Sequence, residues 1–108
     1  MSWHAVARVT DLKPGDVIAV EVDGVKMVVG RDGNRYFAAQ RWCVHSGGDL
    51  SLGIVARGHL VCANHGWRFS TATGRHDSAS DVCLVTYAVR VTGEQVEVDP
   101  APRTLRGH

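Results

Sequence analysis

Apolar residues along this chain recur mainly at every second position, the period of a strand with one buried face. Residues 3–9 alternate in this way, as do Val17–Val22 and, with an interruption, 25–29. Asp23-Gly24 lies between the last two runs, and Asp-Gly is a favoured pair for a two-residue hairpin turn. Pro14-Gly15 and Asp32-Gly33-Asn34 mark two more turns, after which Arg35–Gln40 reads as a further strand. His59–Val61 and 67–70 are short strand candidates, followed by a turn at Thr73-Gly74. Residues 82–91 and 95–98 read as a closing hairpin across Thr92-Gly93-Glu94. No segment carries a helical stripe of twelve residues. The pattern predicts a small antiparallel all-β fold, a sandwich or barrel-like domain.

At 108 residues the chain has room for one domain, with enough core to need no disulfide framework. The expected division is a domain over 1–99 and a weakly ordered extension over 100–108, where two prolines and two arginines accompany a single large apolar residue. Twelve Lys and Arg stand against eleven Asp and Glu, a net charge of +1. That balance leaves no basic footprint for nucleic acid and no polybasic patch for a membrane. The N-terminus lacks a secretory apolar block and no run is long enough to span a bilayer, so a soluble cytoplasmic protein is expected.

Three cysteines are an odd number, which argues against a closed set of disulfides, and two of them stand beside histidines. Cys43-Val44-His45 and Cys62-Ala63-Asn64-His65 are separated by sixteen residues, and glycines follow each pair at Gly47-Gly48 and Gly66. Each pair offers one thiolate and one imidazole from a tight loop that glycine permits. Zinc accepts two Cys and two His, but its common finger spacing pairs Cys with Cys and His with His. Here the ligand types are interleaved, which suits a diiron cluster with both thiolates on one iron and both imidazoles on the other.

Cys-x-His, sixteen residues and Cys-x-x-His, with Gly-Gly-Asp-Leu after the first loop and His65-Gly66-Trp67-Arg68-Phe69 and Thr73-Gly74 after the second, resemble the Rieske [2Fe–2S] family. Within that family it resembles the ferredoxin components of bacterial ring-hydroxylating dioxygenase systems. The resemblance covers residues 16–98. It implies a β domain whose two cluster-binding loops form a subdomain, with one [2Fe–2S] cluster held by Cys43, His45, Cys62 and His65. It implies Cys43 and Cys62 on the inner iron and His45 and His65 on the outer iron. In the respiratory-complex branch of the family two further cysteines tie the loops together; Gly48 and Asn64 occupy those positions here. That branch also has a hydrogen-bonding serine where this chain has Trp67, so the expected potential lies near the low end of the Rieske range, about −150 mV.

The implied function is electron transfer without catalysis: a one-electron carrier between a flavin-dependent reductase and a terminal oxygenase, both met transiently. The mononuclear-iron domain that oxygenase subunits add to this one is not expected in a chain of 108 residues. The first alternative is the small Rieske subunit of an NADH-dependent nitrite reductase; members of that group often lack some of the four ligands, all present here. The second is a zinc-stabilised interaction module, which would be colourless. Cys83, in an apolar run, reads as a small buried thiol. His4, His59, His76 and His108 read as solvated, Trp42 and Trp67 as candidates to shield the cluster, and Asp49, Arg68 and Arg75 as surface charge.

Overall fold

The structure is a computed structural model that describes residues 2–44, 47–64, 66–78 and 82–103. Among the described residues nine strands form two antiparallel sheets: β1 (His4–Arg8), β2 (Val17–Val22), β3 (Val25–Asp32), β4 (Arg35–Gln40), β5 (Ile54–Ala56), β6 (His59–Val61), β7 (Arg68–Ser70), β8 (Thr86–Thr92) and β9 (Gln95–Pro102). The larger sheet has the order β1-β9-β8-β4-β3-β2, and the smaller β5-β6-β7. Its two edges, β1 and β2, approach one another at one corner, where His4 Nε2 stands 3.4 Å from Asp23 Oδ2 in the β2–β3 turn. The six-stranded sheet is thus nearly closed on itself. Short 3-10 turns at Val9–Asp11 and Leu50–Leu52 complete the described structure, in which no helix is long and apolar enough to cross a membrane.

The interruption in the alternation at β3 has a physical cause. Met27 and Val29 fill a core inside the curled sheet with Leu12, Val22, Ala38, Tyr87, Val96 and Val98. Val28, between them, points the other way into a second core with Phe37, Leu50, Leu60, Phe69 and Leu84. A strand buried on both faces needs an apolar run in place of strict alternation. Gly30 is the cross-strand partner of Phe37, and a β carbon there would lie 2.5 Å from the Phe37 ring. The missing side chain makes room for the ring. Phe69 and Leu60, at 0% and 1% exposed, anchor the second core; each such side chain contributes about 1.5–3 kcal/mol by leaving water.

Three elements differ from the sequence pattern. Residues 82–85 are not a strand: Cys83 forms only an isolated bridge with Arg75, and the strand begins at Thr86. β5 was not legible as a strand. β9 continues past residue 98 to Pro102, and Arg103 donates from its backbone to Thr86 O at 2.8 Å. The expected domain boundary after residue 99 therefore falls within a paired strand; 104–108 lie outside the described residues.

The topology puts both cysteine loops at one end of the second core. The first loop leaves β4 in the large sheet and crosses to β5 in the small one. The second joins β6 to β7 within the small sheet.

Candidate metal centre

Cys43 and Cys62 head two loops with the same hydrogen-bond frame. Cys43 N–H donates to Gly48 O at 2.8 Å, and Gly47 N–H donates back to Cys43 O at 2.8 Å. Cys62 N–H donates to Trp67 O at 2.8 Å, and Gly66 N–H donates to Cys62 O at 3.0 Å. In each loop the cysteine carbonyl is bonded from four residues on, and its amide to five residues on. The fourth residue is a glycine with positive φ, +69° at Gly47 and +70° at Gly66. A β-carbon-bearing residue would be strained at both. Two separate segments thus fold the same knuckle around a leading cysteine.

Both thiols are unpaired and enclosed, Cys43 at 3% and Cys62 at 1% exposure, and both belong to the second core cluster. The loops also touch. Gly48 lies against the amide of Asn64, with room for no side chain of its own unless that amide moves. His45 and His65, the other two expected ligands, lie outside the described residues. Among the described residues no cluster of three or more His, Cys, Asp or Glu could hold a metal ion. The donor set that the structure does describe, two buried sulfurs on matching loops, fits a thiolate-bound metal group better than a disulfide or a solvent-facing thiol pair.

The neck of the first loop is closed by groups that the sequence reading passed over or placed on the surface. Trp42 and Asp49 form a bridge, and Leu50 N–H donates to Arg41 O at 2.8 Å. Across that neck Arg41 grips Asp49 with both ends of its fork, Nε to Oδ1 at 3.1 Å and Nη2 to Oδ2 at 2.8 Å. Ser51 adds its N–H at 3.0 Å and its hydroxyl at 2.7 Å to Oδ1. The Arg41 fork holds the Asp49 carboxyl well below the usual carboxylate range, against the opposing effect of burial and with smaller help from the two Ser51 bonds. Asp49 is therefore a fixed, partly buried anion and not loose surface charge. Arg41 carried no signal in the sequence, because its partner lies eight residues away on the far side of a loop.

Around the second loop, His76 is 9% exposed at its side chain and not solvated. Its ring meets Trp67 edge-on at 4.3 Å and Phe69 at 5.5 Å, and its Nδ1 accepts from Ser78 N–H at 3.1 Å. Trp67 packs against the second core, as a shield would. Trp42 is 45% exposed, with the Arg41 guanidinium 5.0 Å from its ring centre. Arg68 pairs with Asp77 at 2.8 Å on the way out of the loop. Cys83 is only partly buried, its Sγ 3.5 Å from Thr73 O and 3.4 Å from Leu84 O.

Comparison with known proteins gives consistent results. The family described as the Rieske [2Fe-2S] domain matches residues 2–88. The ferredoxin component of the naphthalene 1,2-dioxygenase system of Pseudomonas aeruginosa is 26% identical over 98 residues, 90% of this chain and 94% of that one. The methylxanthine N1-demethylase NdmA of Pseudomonas putida is 36% identical over 74 residues, 64% of this chain and 21% of that protein. The chain spans only 17–21% of the length of several curated relatives that it matches. Among solved structures, a complex of reduced oxygenase and oxidised ferredoxin in carbazole 1,9a-dioxygenase matches with a TM-score of 0.85 at 28% identity, covering 95% of this chain and 97% of the matched one. A nitrite reductase small subunit matches with a TM-score of 0.81 at 21% identity, covering 91% and 98%, a likeness of fold alone.

Proposed function

This chain belongs to the Rieske [2Fe–2S] domain family, and on that premise we propose that it is a one-electron carrier between a flavin-dependent reductase and a terminal oxygenase. The carrying observation is the pair of matched loops, each presenting an unpaired, enclosed cysteine to one core. Cys43 and Cys62 would hold one iron of a [2Fe–2S] cluster, and His45 and His65 the other. When bound, the cluster supplies a site that accepts and returns a single electron without bond making.

The residues around it do the rest. Packing by Phe69, Leu50 and Leu60 keeps water from the sulfur side, and the Gly48–Asn64 contact sets one loop against the other. Ferredoxin relatives that match this chain nearly end to end, and the ferredoxin bound to an oxygenase in the matched complex, support the carrier role and its partner. A transient partner calls for a small docking surface that releases after transfer. Cytoplasmic residence belongs to the same proposal, supported by the three unpaired cysteines.

Coulometric titration of the iron-loaded protein tests this reading. One electron per chain, taken up and returned through repeated cycles with a midpoint of about −150 mV, is expected. No reversible uptake, or a midpoint above about +100 mV, would overturn it.

A further inference from the structure

The neck of the first loop carries two opposite charges beside the proposed cluster. Arg41 stands two residues before Cys43, and Asp49 follows Gly48, whose carbonyl receives the Cys43 N–H. The pair is joined at 2.8 Å, its side chains are 28% and 18% exposed, and Ser51 supplies two further donors to the carboxylate. Arg68–Asp77, at 58% and 24% exposure, is a more exposed ion pair beside the second loop, where His76 Nδ1 also stands 3.7 Å from Asp77.

From this geometry we infer that Arg41 and Asp49 are positioning residues that act as a matched charge couple, setting the potential of the cluster as well as closing its loop. The inference rests on the carrier reading above. Reduction adds one negative charge to the cluster. A nearby cation favours that state and a nearby anion opposes it. Partial burial limits the screening that would erase such effects at the surface. Joined to one another the two charges nearly cancel, so the loop is locked by a strong contact without a large field on the cluster. Removing either one leaves the other uncompensated.

The depressed titration of Asp49, caused first by the Arg41 fork, keeps the couple ionised throughout the neutral range. Because a lock and a charge couple both weaken when Arg41 is lost, the variants must separate charge from shape. Arg41→Lys keeps the cation and gives up the fork.

The test is redox titration of the unaltered protein, Arg41→Gln, Asp49→Asn, the double variant and Arg41→Lys, with iron and sulfide assayed in each. The midpoint should fall in Arg41→Gln, rise in Asp49→Asn and return close to the original in the double variant. Arg41→Lys should keep its midpoint while melting at a lower temperature, and added salt should shrink both single-variant shifts. Absence of iron and sulfide from the unaltered protein would overturn the carrier reading and this inference together. A loaded cluster whose midpoint moves the same way in both single variants, or in neither, would overturn this inference alone.

Discussion

Gly48 and Asn64 meet across the two cysteine loops: a β carbon on Gly48 would stand 2.7 Å from the Asn64 Nδ2 and 3.0 Å from its Cγ. A cysteine at 64 would put its sulfur near that Cγ, and a disulfide sets the partner's β carbon about 3 Å from such a sulfur. The double variant Gly48→Cys, Asn64→Cys should therefore close a bridge on mild oxidation. Peptide mapping by mass spectrometry without reductant checks the linkage. Melting with and without reductant should show a gain on the order of 3 kcal/mol for the loop so closed.

Gly53 follows the short turn Leu50–Leu52, and a β carbon there would fall 2.1 Å from Val61 O, in the strand paired with β5. Backbone cannot yield as a flexible side chain can. Gly53→Ala should cost about 1–3 kcal/mol through displacement of β5 from β6, read as a melting point lower by several degrees. Gly47→Ala and Gly66→Ala have open space, so only their positive φ resists; they should cost about 1–2 kcal/mol each.

Acid should loosen the first loop through Asp49. Its carboxyl titrates well below the ordinary value of about 3.9 because Arg41 and Ser51 bond the ionised form. A depressed folded value means that the stabilisation is complete above the unfolded value and is lost as pH falls toward the folded one. Urea midpoints measured from pH 6 down to pH 2 should thus decline less steeply below pH 4 in Asp49→Asn than in the unaltered protein. Equal slopes would show that the carboxylate contributes nothing to acid sensitivity.

Turn chemistry and period-two alternation were enough to locate most of the large sheet. Asp23-Gly24 and Asp32-Gly33-Asn34 bracket β3 as expected, and the register of β2, β3 and β4 follows from them. The three-residue strand Ile54–Ala56 was not legible, because Gly53 and the Arg57-Gly58 turn leave too few positions for a period to appear. Residues 82–85 misled for the opposite reason: they are apolar, and Leu84 is buried, yet they pack as irregular chain against Gly74. At the site, the cysteines and loop glycines were plain from spacing. The roles of Arg41 and of His76 were not, since each depends on a partner that only loop closure or sheet packing brings near. Polar and aromatic contacts of that kind leave no periodic trace.

The most direct test of the central claim is the metal content of the anaerobically purified protein, with an EPR spectrum after dithionite reduction. Two irons and two acid-labile sulfides per chain, with a rhombic signal of lower average g than an all-cysteine cluster gives, are expected from Cys43, His45, Cys62 and His65 as ligands. One zinc with no sulfide and no signal would contradict the electron-carrier function and leave a structural metal module in its place.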